Sequence, residues 1–144
     1  MPPILKATIG FLATLAAAWI WHGPLGHGEA LVDRLEGEAR AAVARSWLTG
    51  ISVSLGHDPL DRNATLSGKA NDIQREGLGS GPGISDYVRE VEGLASVRWA
   101  DEPSLERRAL PLLAETMILT ALAYLIGLGL GALLWGRRRR EGFD

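Results

Sequence analysis

The chain has 144 residues, no cysteine and a formal charge of −2. This excludes a disulfide-stapled domain, a thiolate metal centre, a cysteine nucleophile and a generally basic nucleic-acid binder. The mean hydropathy of +0.07 averages apolar ends with a polar middle: residues 24–108 hold 14 acidic and 10 basic side chains, a local net of −4, and four arginines, 137–140, crowd the C-terminus.

The first apolar run, residues 2–21, is interrupted only by Lys6, whose aliphatic stem can snorkel to a headgroup layer. Trp19 and Trp21 stand at its far end as interfacial anchors. A basic start followed by an apolar stretch also describes a cleaved signal peptide. Against cleavage, Trp19, Ile20 and Trp21 prolong the run past the small residues Ala16, Ala17 and Ala18. The expectation is an N-terminal transmembrane helix over 1–22, an uncleaved signal anchor.

The next segment, 23–103, reads as an extracytoplasmic domain. Over 29–47, Leu31, Leu35, Ala39, Ala42 and Val43 recur at helical spacing, with Arg34, Glu36, Glu38 and Arg40 elsewhere on the turn. Residues 51–55 alternate apolar and polar as a half-buried strand does, residues 57–61 have turn chemistry, and residues 63–67 alternate again. A second helix is predicted over 84–92 and a third strand through Ala95, Val97 and Trp99. Helix, strand, strand, helix, strand is a small α+β arrangement.

The second apolar run, 117–135, is 19 uncharged residues ending at Trp135, a further interface anchor. A helix of that length covers roughly the 30 Å of a bilayer core. The expectation is a second transmembrane segment within 104–136 and a cytoplasmic basic tail over 137–144. Arg137, Arg138, Arg139 and Arg140 follow the span and place the C-terminus in the cytoplasm; Lys6 favours the same side for the N-terminus. These four arginines read as a topogenic stop, and secondarily as a contact for anionic lipid. Arg107 and Arg108 are expected near the outer headgroups.

The run Arg62-Asn63-Ala64-Thr65-Leu66-Ser67-Gly68, followed by a helix and then Val91-Glu92-Gly93-Leu94-Ala95-Ser96-Val97, resembles the BON domain family, named for bacterial osmotically inducible and nodulation proteins. The resemblance covers roughly residues 31–100. It departs from the family pattern at Leu94, where valine is usual, and at a glycine-rich insertion that splits the second helix. It implies a single αββαβ BON-like domain, flanked here by two transmembrane α-helices, in a non-enzymatic module of the bacterial envelope. Some members of the family are attached to peptidoglycan-binding domains, and some are implicated in binding phospholipid.

The remaining motifs are weak. Residues 77–83 are glycine-rich but lack the preceding parallel strand and the Gly-Lys-Ser/Thr ending of a phosphate loop, so they read as a mobile loop. If an anion bound there, amides near Ser85 would be the donors and Asp86 would oppose it. His22, His27 and Glu29 meet no metal-ligand spacing, His57 reads as a turn residue, and Ser52, Ser54 and Ser67 have ordinary strand explanations. No catalytic, cofactor or metal residue is assigned and no enzyme is expected. Asn63-Ala64-Thr65 matches a glycosylation sequon, discounted because it falls in a strand of a bacterial envelope protein.

Small residues in the spans are more telling. Gly10, Thr14 and Ala18 recur every four residues, and Gly127 and Gly131 form a GxxxG pair, rows that let helices approach closely. They serve either the two spans packing on each other or a partner helix. Two functional readings follow. The first is an accessory or interaction subunit of a larger complex in the bacterial inner membrane, both termini cytoplasmic and the domain periplasmic, with membrane lipid and other transmembrane subunits as partners. The alternative is an envelope-binding module touching anionic phospholipid or peptidoglycan. Nucleic acid is not an expected partner.

Overall fold

The computed structural model describes residues 2–78, 81–102 and 110–136. It is a mixed α+β chain with two long apolar helices at its ends, and it divides into two compact units: Met1–Leu25 with Leu113–Asp144, and Gly26–Leu112.

In the first unit, α1 spans Pro3–His22 and α5 spans Leu112–Gly136. Pro3 is tolerated because the first helical turn has no intrahelical use for its missing N–H. Both helices are long and apolar enough to cross a membrane, over Pro3–His22 and Leu112–Leu134. Apolar side chains cover them on most sides, as in Ile4, Ile9, Leu12, Leu119, Ile126 and Leu133, the pattern of a helix whose solvent is hydrocarbon.

The second unit begins with α2, His27–Arg45, which buries Val32, Leu35, Ala39, Ala42 and Val43. Strands β1 (Ser52–Ser54) and β2 (Asn63–Ser67) pair antiparallel, with Val53 opposite Leu66. After β2 come α3 (Asp72–Glu76), a short ribbon of β3 (Gly77–Leu78) with β4 (Gly81–Pro82), and α4 (Ile84–Arg89). Strand β5 (Ser96–Trp99) then lies parallel to β2, giving the order β1-β2-β5. Parallel pairing requires a crossover, and the segment from α3 to α4 supplies it. Val53, Ala64, Leu66 and Trp99 face the core with Ile84 and Val88; burying a side chain of this size contributes roughly 1.5–3 kcal/mol.

Three expectations need correction. The first helix of this unit ends at Arg45 instead of continuing to residue 47, and the helix predicted over 84–92 ends at Arg89. Within the glycine-rich stretch Gly77–Leu78 and Gly81–Pro82 pair as a short ribbon, preceded by α3, which hydrophobic periodicity could not reveal because none of its five residues is buried. Asn71 caps α3 by accepting Gln74 N–H at 2.8 Å, while Gln74 accepts Asn71 N–H at 2.9 Å. Glycine is required at 77, where φ is +81° and a Cβ would come within 2.1 Å of the Gly81 carbonyl oxygen.

Candidate functional site

Within the helix pair, contact centres on Tyr124. Its hydroxyl donates to the Ala7 carbonyl at 2.7 Å and its ring lies 5.7 Å from that of Phe11. Gly10 makes room for this: a Cβ there would sit 2.5 Å from the Tyr124 oxygen. Ala7, Gly10, Phe11, Thr14, Leu15 and Ala18 are the half-buried positions of α1, so the small-residue row Gly10, Thr14, Ala18 lies along one seam. Thr14 turns its hydroxyl inward to the Gly10 carbonyl at 2.7 Å, so its polar group is met within its own helix.

The other small row is placed differently. Among the described residues, a Cβ at Gly127, Gly129 or Gly131 would meet nothing within 4 Å, so these glycines make no approach to α1 as close as that of Gly10 to Tyr124. Trp19 and Trp21 are 51% and 58% exposed near the C-terminal end of α1. Arg107, Arg108, Arg137, Arg138, Arg139, Arg140 and the side chain of Trp135 lie outside the described residues.

In the domain, one polar cluster is built on α2. Glu36 keeps only 9% of its side chain exposed. It accepts Leu55 N–H at 3.1 Å and His57 Nε2 at 3.1 Å, and it pairs with Arg40 one turn on. Burial alone would raise its pKa, but the Leu55 amide, His57 and Arg40 together outweigh that and hold it below its ordinary value. Asp33 lies 4.0 Å from His57 Nδ1, so the two ring nitrogens address different carboxylates. Among the described residues no three such groups converge on one point where a metal could sit.

A second network secures the crossover. The Trp99 indole, 2% exposed, donates to Ser85 Oγ at 3.1 Å, and Ser85 donates to Glu76 Oε1 at 3.0 Å. Arg75 lies over the same indole, 4.3 Å from its centre, and bonds Asp101 through both terminal nitrogens at 2.9 and 2.7 Å. That pairing raises Arg75 above its already high value and lowers Asp101 below the usual carboxylate range. At the start of α4, Asp86 accepts Gly83 N–H at 3.0 Å. The chain's own carboxylate thus sits where an incoming anion would have to bind, which leaves the glycine-rich segment without phosphate-loop chemistry.

Two surface features remain. The sheet face away from the core carries Ser52, Ser54, Asn63, Thr65, Ser67, Ser96 and Arg98. There Ser96 donates to Asn63 at 2.7 Å and Arg98 reaches Thr65 at 3.3 Å. Trp47, just past α2, is 93% exposed with φ at +61°, the one positive φ among the described non-glycine residues. That conformation costs an ordinary residue roughly 1–2 kcal/mol. Sequence reasoning carried the helix through Trp47 to a stop at Gly50, and so did not foresee the backbone turn at Trp47.

These arrangements can hold a fold together and present surfaces. Comparison of the chain with family models, with curated proteins and with solved structures finds no match in any of the three.

Proposed function

We propose that this protein is a non-enzymatic accessory or interaction subunit of a larger complex in the bacterial inner membrane. Both termini are cytoplasmic in this reading, and a BON-like αββαβ domain stands on the periplasmic side. The observation that carries it is the division of labour between the two small-residue rows. Gly10 is used within the chain to admit Tyr124, whereas among the described residues Gly127, Gly129 and Gly131 have open space above them. In a bilayer, apolar burial gives helices no reason to associate, so close approach at small residues decides pairing. An unused row on a spanning helix suits a neighbouring subunit's helix.

The BON-like assignment draws on the Asn63-Ala64-Thr65-Leu66-Ser67-Gly68 motif falling on β2 and into the turn beyond it, and on the mixed three-stranded sheet. Orientation draws on the arginines at 137–140. A second reading, contact with anionic phospholipid or peptidoglycan, finds support in Arg98, whose guanidinium has only a neutral partner, Thr65, among the described residues.

Purification in mild detergent followed by native electrophoresis and mass spectrometry tests the first reading. A stoichiometric protein partner is expected, and its absence overturns the proposal. Cosedimentation of the full chain with peptidoglycan sacculi, or its retention on anionic rather than neutral vesicles, tests the second.

A further inference from the structure

We propose that His57 is a proton-operated clasp: a proton taken up from water at Nδ1 pairs the ring with Asp33 while Nε2 stays on Glu36, and so draws the turn of residues 56–61 more firmly onto α2. The clasp lies within the domain and does not depend on the subunit reading.

Geometry fixes where the proton goes. An ionised carboxylate only accepts hydrogen bonds. Burial works against the charge of Glu36, but the Leu55 amide, His57 and Arg40 outweigh it and keep the group ionised. The 3.1 Å contact between Nε2 and Glu36 Oε2 therefore requires the ring hydrogen on Nε2, which leaves Nδ1 as the open acceptor. Nδ1 lies 4.0 Å from Asp33 Oδ1, and 46% of the His57 side chain is exposed, so water reaches the ring. With a neutral ring, a nitrogen lone pair faces an anion; with a protonated ring, the same contact is an ion pair.

The charges around the ring favour its cationic form. From α2, Asp33 and Glu36 face it, and Arg40 pairs with Glu36. Two carboxylates and one guanidinium leave this set one negative charge in excess when the ring is neutral and balanced when it is protonated. On its own turn, Asp58 adjoins His57 in the chain, and Asp61 accepts the Asn63 N–H at 2.9 Å. The turn carries more than the clasp: its Gly56 carbonyl accepts Asp61 N–H at 3.0 Å, and its Leu60 carbonyl accepts the N–H of Leu112 at 2.9 Å. Leu112 is the last residue of the domain, so proton uptake at His57 acts on the place where the chain leaves it.

The test compares the full solubilised chain with two variants. His57→Gln keeps a donor for Glu36 but takes up no proton, and Asp33→Asn removes the second carboxylate. Melting is followed by near-ultraviolet dichroism at about pH 5.5 and about pH 8, which bracket the range in which imidazoles change charge and lie above that of ordinary carboxylates. The folded chain holds the cation on both sides, so the added stability is complete below the unfolded imidazole value of about 6.5 and is lost as pH rises. Wild type should therefore exceed each variant by a few degrees more at the lower pH than at the higher. An equal gap at both pH values, for either variant, overturns the proposal, because a fixed structural contact would give that result. An independent readout comes from the imidazole nitrogen shifts of His57 in the wild type. Near pH 8 they should place the ring hydrogen on Nε2, and a neutral ring carrying it on Nδ1 overturns the proposal even if a variant fails to fold.

Discussion

The carboxylate of Glu36 accepts the backbone N–H of Leu55 at 3.1 Å, joining the middle of α2 to the residue that follows β1. A single side chain thereby secures α2 to the end of β1, and it does so as an anion. Its pKa lies below the ordinary value in the folded protein, so its contribution to stability is complete above the unfolded value of about 4.3 and is lost as pH falls through the folded value. Glu36→Gln should remove that acid dependence and cost about 1–3 kcal/mol near neutral pH, where the Leu55 amide and Arg40 lose a charged partner. Denaturant unfolding of the solubilised chain between pH 3 and 7 checks both, and an unchanged acid slope in the variant would contradict the assignment.

Ser85 offers a test of the crossover network. Its hydroxyl is the acceptor for a buried indole N–H, and Ser85→Ala leaves that donor without the partner seen in the structure. The loss should be about 1–3 kcal/mol of stability, with a change in Trp99 near-ultraviolet dichroism. The more exposed serine Ser54 replaced by alanine should change stability by less than about 0.5 kcal/mol.

The two glycine rows should respond differently to the same substitution. Gly10→Leu drives a side chain into Tyr124 and should loosen the helix pair, lowering the melting temperature of the solubilised chain. At Gly127 a Cβ meets nothing within 4 Å among the described residues, so Gly127→Leu should leave the melting temperature unaltered, while reducing recovery of the complex on native electrophoresis. Equal effects on melting would show that both rows serve the same contact.

Tyr124→Phe isolates one bond in that contact, the hydroxyl donated to the Ala7 carbonyl. Hydrogen bonds between membrane helices contribute about 0.6 kcal/mol on average, so a small loss is expected, well short of that for Gly10→Leu. The order of the two melting temperatures is the measurement.

Topology can be read cleanly because the chain has no cysteine. A membrane-impermeant maleimide applied to intact spheroplasts should label Ser54→Cys and spare Glu141→Cys, and permeabilisation should expose the latter. The opposite pattern would reverse the orientation drawn from the arginines at 137–140.

The elements legible in the sequence were those that bury a regular pattern. The α2 stripe of Leu35, Ala39, Ala42 and Val43 and the alternation of Ala64 and Leu66 in β2 announced themselves because a periodic core face needs periodic apolar residues. What escaped was held by polar or conformational detail: α3 rests on the Asn71–Gln74 reciprocal cap, and the early end of α2 shows in the backbone of Trp47. Of the site residues, the small rows were visible as spacing, but their separate uses were not, since Gly10 and Gly127 look alike until Tyr124 is seen above one of them.

Composition and order along the chain thus determined the two apolar helices, the α+β character between them and the asymmetry of charge at the ends, because transfer from water depends on residue type and length alone. Only the tertiary structure decided that β5 runs parallel to β2 and that Glu36 reaches Leu55 across 19 residues. Those relations join groups far apart in the chain, and their free energies depend on distance and burial that no local window contains.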